Sequence, residues 1–115
     1  MPIPRVIFDR VRDEIERELA DWLPRIVAEM QPVKVLLFGS AARGEAGEDS
    51  NIDLCVIADS DLGFFDRIGR VIGLYRGSRA VEVLVYTPSW GPRALRLVGL
   101  RLAEPLWGSC EAPLA

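Results

Sequence analysis

The chain has 115 residues, half of them hydrophobic, which is enough for the core of one small domain. A net charge of −3 argues against a broad basic surface for nucleic acid. The sequence contains no histidine, which excludes Ser-His-Asp and Cys-His nucleophiles and any His-ligated zinc site. Catalysis would have to use carboxylates, hydroxyls, Lys or Arg, or a metal ion held by oxygen ligands.

The first predicted element is an amphipathic helix over residues 6–30. Its apolar positions recur at steps of three and four residues, as on one face of a helix: Ile7, Val11, Ile15, Leu19, Trp22, Leu23, Ile26, Val27 and Met30. Pro24 removes a backbone donor and crowds the preceding turn, so we expect a kink or break near residues 21–23. This helix is expected to serve packing rather than chemistry.

Two short apolar runs follow, at residues 33–38 and 52–57. Both are rich in Val, Ile and Leu and are too short for typical helices, so they are predicted to be buried strands. Because the loop over residues 44–50 is short, the two strands are expected to pair antiparallel. Cys55, inside the second run, is expected to be a buried reduced thiol that forms no disulfide with Cys110.

The second half of the chain continues the alternation of helix and strand. A helix is predicted over residues 62–75 with Asp61 as its N-cap, and a strand over residues 80–86. A short helix could form within residues 89–98, and residues 102–107 read as a last strand or an extended tail. The order predicts an α/β (α+β) fold, with a small mixed sheet packed against helices in a single domain over residues 1–115.

No stretch is long and apolar enough to span a membrane, and the N-terminal segment lacks the apolar core of a signal peptide. We therefore expect no membrane association and a cytoplasmic location.

The connection between the first two strands is punctuated by glycine. Gly39 and Ser40 come directly after the first strand, and Gly44 and Gly47 follow. Glycine lets the backbone turn sharply and lets a ligand approach closely. A strand that ends in Gly-Ser presents free N–H groups and a hydroxyl, which together form a small anion-binding concavity.

Three segments in this region resemble a known family. Gly39-Ser40, then Ala42-Arg43-Gly44, then Ser50-Asn51-Ile52-Asp53-Leu54 are similar in order and spacing to the signature of the minimal nucleotidyltransferases of the polymerase-beta-like superfamily. The resemblance is close over residues 33–57 and looser to about residue 107. It implies the nucleotidyltransferase fold and transfer of a nucleoside monophosphate, AMP from Mg-ATP, to a protein or small-molecule acceptor.

The resemblance also implies roles for particular residues. Gly39 and Ser40 would grip the outer phosphates of the nucleotide. Asp53, with Asn51 and Glu82, would form the catalytic and Mg²⁺-binding set, in which two metal ions could clamp an in-line attack on the α-phosphate. Arg43 would either touch phosphate or tie down the loop.

Two positions depart from the family pattern. Asn51 stands where the first Asp belongs, and Glu82 stands where a third Asp is expected. Strand alternation should place Asn51 and Asp53 on one face, beside Glu82 if the third strand is adjacent. Because Asn51 carries no charge, we expect at least one metal position to be impaired. Asp49 could compensate if the strand began early, and Glu82 could instead simply face solvent.

Two classes of function therefore remain open. Members of the family often pair with a small helical HEPN-type protein as the antitoxin of a toxin–antitoxin system, which favours an enzyme with such a partner. Alternatively, the chain is a weakened or inactive member that acts by contact alone. The C-terminal apolar residues could form either core or an interface, including one between copies of the chain: Trp90, Leu95, Leu97, Leu100, Leu102, Leu106 and Trp107. We expect no nucleic-acid ligand, because the chain is acidic and lacks a basic stripe.

Overall fold

The computed structural model describes residues 3–90 and 104–107, with side chains described for residues 10–89 and for Leu106. The elements follow in this order: α1 Ile3–Met30, β1 Lys34–Phe38, the short helix α2 Gly39–Ala42, β2 Ile52–Ile57, α3 Phe64–Gly73, β3 Val81–Tyr86, a 3₁₀ turn Pro88–Trp90, and β4 Glu104–Trp107. The predicted alternation of helices and strands is thus confirmed, and residues 104–107 form a strand.

The four strands form one mixed sheet in the order β3-β2-β1-β4. β1 pairs antiparallel with β2 and with β4, whereas β2 pairs parallel with β3. A parallel pair needs a crossover connection, and α3 supplies it between β2 and β3. The antiparallel pairing predicted for the first two strands is confirmed, and so is the predicted α/β (α+β) class.

The two faces of the sheet differ in what they carry. One face, here called the helix face, packs against α1 and α3 through buried side chains: Val35, Leu37, Ile52, Leu54, Val56, Val83 and Val85. The other face, here called the carboxylate face, has a smaller apolar cluster around Leu36, Cys55 and Ile57. Alternation along the strands places Asp53 and Glu82 on this second face.

Helix α1 runs without interruption through Pro24, so the predicted break is wrong. Proline there forfeits one backbone hydrogen bond. Trp22 and Ile26, on either side of it, are completely buried in the core. Tertiary packing of this apolar stripe therefore outweighs the local preference of one residue. The helix ends at Met30, and the next residue, Gln31, adopts a left-handed φ of 47° and donates its N–H to the carbonyl of Val27.

Helix α3 is shorter than predicted and begins differently. Its N-cap is Gly63, which has no capping side chain, so Asp61 is not the cap. The preceding turn is instead closed by the Ser60 hydroxyl, which accepts the N–H of Leu62. The Arg67 guanidinium then donates to the carbonyl of Leu62. These local bonds close the turn in which Asp61 was expected to cap the helix.

Cys55 is a fully buried free thiol, as predicted, and burial raises its pKa to about 12. Cys110 lies outside the described residues, as does most of the helix predicted within residues 89–98. Of the C-terminal apolar set, only the side chain of Leu106 is described, and it packs against the main core. In the part of the chain that the structure describes, no helix combines the length and apolarity needed to cross a membrane.

Candidate active site

The candidate site is centred on Asp53, the second residue of β2. β2 is the central partner of two strands, so Asp53 lies opposite Phe38 of β1 on one side and opposite Glu82 of β3 on the other. Direct cross-strand partners are near neighbours on one face of a sheet. The parallel pairing of β2 with β3 therefore brings together two acidic residues that are far apart in the sequence.

Burial and the neighbouring Glu82 both affect the ionisation of Asp53. The pKa of Asp53 is raised to about 6, first by burial, then by the negative charge of Glu82 and the hydrogen bond with it, while the Arg43 guanidinium opposes the shift. The Oδ1 atom of Asp53 is buried and has no hydrogen-bond partner among the described residues. An unpaired buried carboxylate oxygen is costly to a fold and calls for a functional explanation.

Gly39 forms one wall of the site. It follows β1 directly and has a φ of +73°, which a residue with a side chain rarely adopts. A Cβ atom at this position would also collide with the carboxylate of Asp53. Two independent constraints thus require glycine here. Gly44 has a similar φ of +72°, but a Cβ there would meet no other atom within 4 Å, so its requirement is conformational only.

Ser40 and Arg43 lie in the same turn. Ser40 is in α2 and accepts the N–H of Glu45 through its carbonyl, at 2.9 Å. Arg43 is exposed and its Nε donates to Oε2 of Glu45, at 3.2 Å. This bond holds Arg43 to the loop, yet the charge of Arg43 also acts on Asp53. The structure is therefore compatible with both roles considered for Arg43.

Asn51 and Asp49 lie in the segment before β2 rather than in the strand itself. β2 begins at Ile52, so Asn51 precedes the strand and the alternation rule no longer places its side chain. Asp49 is exposed in a turn, which removes the premise that the strand begins early. Both residues line a polar pocket of about 700 Å³ bordered by α1, residues 48–51 and residues 78–80. Within the described side chains, no three acidic, histidine or cysteine residues are grouped to hold a metal.

The Asp53–Glu82 pair nevertheless suits one hard cation. Mg²⁺ is commonly bound by one or two carboxylates, with waters and substrate phosphates completing its shell. The unpaired Oδ1 of Asp53 and the repulsion between the two acids are both features that a divalent cation would relieve. The donor set therefore fits one Mg²⁺ ion, with fewer acidic ligands than a two-metal site uses.

Arg79 is an important residue that sequence analysis missed. Its buried guanidinium contacts the loop before β2 and helix α1 at the same time. In the sequence it is one arginine in a polar stretch ahead of a strand, with no spacing that distinguishes it from its neighbours. Its contacts depend on the tertiary arrangement and could not have been predicted from local pattern.

These features define an α/β domain in which the Gly39 turn lies against a pair of carboxylates, Asp53 and Glu82, on two neighbouring strands. Residues 20–101, well over half of the chain, match the family described as the nucleotidyltransferase domain. The chain belongs to this nucleotidyltransferase family, as its sequence signature predicted.

A solved structure supports the same fold. The chain is similar to a crystal structure from Sulfolobus solfataricus of a protein described as a candidate nucleotidyltransferase. The TM-score is 0.55 at 19% sequence identity, and the alignment covers 95% of this chain and 86% of the other. At this identity the likeness concerns the fold alone. No curated protein matches the chain in sequence.

Proposed function

We propose that the protein is an active nucleotidyltransferase, which transfers AMP from Mg-ATP to a protein or small-molecule acceptor. The observation that carries this proposal is the pairing of Asp53 with Glu82 beside the Gly39 turn, with one buried oxygen of Asp53 left without a partner. Two acids directly opposite each other on neighbouring strands repel and destabilise a sheet, so they have no purely structural advantage. Their presence is better explained by a bound cation.

Asp53 and Glu82 would hold the Mg²⁺ ion, and Asn51 would add a neutral amide oxygen. When bound, the ion supplies positive charge that neutralises phosphate oxygens and increases the electrophilicity of phosphorus. Glu82 is exposed, so it can turn toward a ligand, whereas Asp53 is half-buried and fixed in mid-sheet. The two acids thus provide one adaptable and one rigid ligand.

The turn after β1 would hold the triphosphate. Gly39 lacks a side chain where the chain passes closest to Asp53, so phosphate oxygens can approach both the backbone and the metal ligands. Ser40 would contribute a hydroxyl donor, and Arg43 positive charge near Asp53. In this role Arg43 would exchange its surface bond with Glu45 for a phosphate.

The resemblance to minimal nucleotidyltransferases guides the rest of the proposal. We propose a HEPN-type helical protein as the partner, an antitoxin role for this chain, and a cytoplasmic location. The partner could itself be the acceptor of AMP.

A second candidate is a binding module that acts by contact and has lost its chemistry. It is favoured by the neutral Asn51 in place of an acid and by the absence of a three-acid group among the described side chains. A domain of this kind would keep the fold and would bind nucleotide weakly or not at all.

Calorimetric titration of ATP, with and without Mg²⁺, separates the two candidates. The enzyme proposal predicts binding that requires Mg²⁺ and that falls at least about tenfold in Asp53→Asn, because this change removes a charged ligand without changing shape. Asp59→Asn is the matched control, since Asp59 is exposed just beyond the other end of β2. Binding that is absent, or unaffected by Mg²⁺ and by Asp53→Asn, would contradict the enzyme proposal.

Activity provides the second part of the test. Asp53→Ala should abolish nucleotide transfer to the proposed partner, whereas Asp59→Ala should retain it. Unchanged transfer by Asp53→Ala would mean that the reaction takes place elsewhere.

A further inference from the structure

Arg79 connects three parts of the molecule through one side chain. Its Nη1 atom lies 3.4 Å, 3.0 Å and 3.1 Å from the carbonyl oxygens of Gly47, Glu48 and Ser50, and Nη2 donates to Oε2 of Glu14 on α1 at 3.0 Å. Only 9% of the side chain is exposed. The guanidinium therefore fastens the loop before β2 to the long helix.

The Arg79 backbone is itself held in place. Its N–H donates to the Tyr75 hydroxyl at 3.0 Å, and that hydroxyl donates to Glu18 of α1. The pKa of Tyr75 is raised to about 12, mainly by burial and by its hydrogen bond to Glu18, so the hydroxyl remains a donor at neutral pH. Arg79 is thus fixed at both ends, and it can transmit a definite geometry to the loop.

Stability alone explains this arrangement poorly. Desolvation of a buried guanidinium offsets much of the energy gained from its ion pair, and apolar replacements of buried pairs are often neutral or stabilising. In addition, the Nε atom of Arg79 is buried without a partner among the described residues. What such a side chain does supply is a single, specified conformation of the three carbonyl groups that it contacts.

The carbonyl of Ser50 belongs to the peptide group that precedes Asn51. The peptide group that follows Asn51 is also held, because the N–H of Ile52 donates to the carbonyl of Ala80 at 3.0 Å. Consecutive residues, Arg79 and Ala80, therefore bind the two peptide planes on either side of Asn51. Asp53 needs no such support, since strands pair with it on both sides.

We propose that Arg79 is a positioning residue for the nucleotidyl-transfer site, acting through Asn51. Arg79 holds the peptide plane that precedes Asn51 and its neighbour Ala80 holds the plane that follows, so Arg79 helps to set the direction in which the amide oxygen is presented at the start of β2. A neutral ligand that lacks the long-range attraction of a carboxylate depends more strongly on being held in the correct orientation. This inference rests on the proposed function, in which Asn51 is a ligand of the Mg²⁺–nucleotide site.

Hydrogen exchange tests the structural part without any ligand. Arg79→Lys keeps the charge but cannot reach three carbonyls and Glu14 together. We expect exchange at the amides of Ser50 and Ile52 to accelerate at least about tenfold, the scale of losing one or two hydrogen bonds. Amides in the middle of β2 should be unaffected. Arg76→Lys, at an exposed position three residues earlier, is the matched control.

Calorimetry of Mg-ATP binding tests the functional part in a double-mutant cycle. Arg79→Lys should weaken binding about tenfold in the otherwise unchanged protein, as loss of a residue that orients a ligand does. It should have almost no further effect in Asn51→Ala, because residues that act through each other are non-additive. A merely structural arginine would weaken binding equally in both backgrounds.

Each outcome bears on the proposal. Equal weakening in both backgrounds, or unchanged exchange at Ser50 and Ile52, would overturn it. If Arg79→Lys fails to fold, Glu14→Gln weakens only the helix contact, by removing its charge, and should cause smaller changes in the same direction. If the unmodified protein binds no Mg-ATP, the proposed function and the positioning role both fail, while the exchange data still report separately whether Arg79 fixes the loop.

Discussion

The two faces of the sheet differ in role: one stabilises the fold and the other carries the carboxylate pair. The helix face is continuously apolar and is sealed by α1 and α3, so it supplies the buried area that stabilises the fold. The carboxylate face has a smaller apolar cluster and ends in two acids that repel each other. β2 contributes to both faces through alternate residues. One strand thus provides stability on one side and an electrostatically unfavourable carboxylate on the other.

Substitutions on the two faces should therefore have different consequences, one for stability and the other for chemistry. A core side chain on the helix face loses packing when it is shortened. Neutralising an acid on the carboxylate face instead relieves repulsion in the ligand-free protein. If both kinds of change destabilise the protein alike, the two faces do not differ in this way.

The largest effect is expected at Trp22, which joins α1 to α3. Its side chain is completely buried, and Nε1 donates to the carbonyl of Val71 at 3.0 Å. Trp22→Ala should lower the free energy of unfolding by about 3–5 kcal/mol, because it opens a cavity and removes this bond. Urea denaturation measures the loss. Phe65→Ala, at a side chain that is 82% exposed, is the control and should change stability little. Similar losses in both variants would contradict the assigned core.

The next effect concerns two glycines with nearly the same backbone conformation. Gly44→Ala should cost about 1–2 kcal/mol, the penalty for a left-handed residue with a side chain. Gly39→Ala should cost more, because the same penalty is joined by a collision with the Asp53 carboxylate. Urea denaturation of both variants measures their free energies of unfolding, and the difference between the two costs is the contribution of the contact with Asp53.

A double variant shows whether Asp53 causes the difference. Adding Asp53→Gly should remove most of the excess cost of Gly39→Ala while leaving the cost of Gly44→Ala unchanged. Equal costs for the two glycine variants from the start would mean that the turn does not press against Asp53.

Sequence analysis succeeded where local pattern decides the structure. The strand at residues 52–57 was predicted with its observed bounds, because six apolar-rich residues between turn signals leave few alternatives. Asp53 and Glu82 were predicted to be neighbours only if the third strand lay beside the second, since the sequence does not specify which strands pair. The family signature directed attention to Asp53, whose role as a site residue stays a prediction.

The errors at Pro24 and Arg79 arise from tertiary contacts, whereas the error at Asp61 arises from a competing local turn. Pro24 does not break α1, because the surrounding apolar stripe is buried against the sheet. Asp61 does not cap α3, because Ser60 and Arg67 close the preceding turn. Arg79 was overlooked since its partners are about 30 and 65 residues away in the sequence. The contacts of the α1 stripe and of Arg79 have no short-range signal, whereas those of Ser60 and Arg67 are local in sequence.

The smallest effect on stability, and the most informative about chemistry, is the pH dependence of Asp53. Its pKa of about 6 in the folded protein exceeds the ordinary value of 3.8, so the folded state binds a proton that the unfolded state releases between these values. Stability should therefore fall as the pH rises from about 4 to about 6 and stay lower above that range. Asp53→Asn should flatten this slope and make the ligand-free protein more stable than wild type at neutral pH. Urea denaturation across the range measures it, with Asp59→Asn as the control.

Mg²⁺ should show the opposite dependence, because only the ionised carboxylate can bind a cation. Between about pH 7 and about pH 5 the ionised fraction of Asp53 falls roughly tenfold, and the affinity for Mg²⁺ should fall with it. Calorimetric titration of Mg²⁺ at the two pH values measures the change in affinity. In Asp53→Asn this pH dependence should disappear. A wild-type affinity that does not change with pH would mean that the cation binds away from Asp53. The carboxylate face would then carry a repulsive pair for which metal binding is not the explanation.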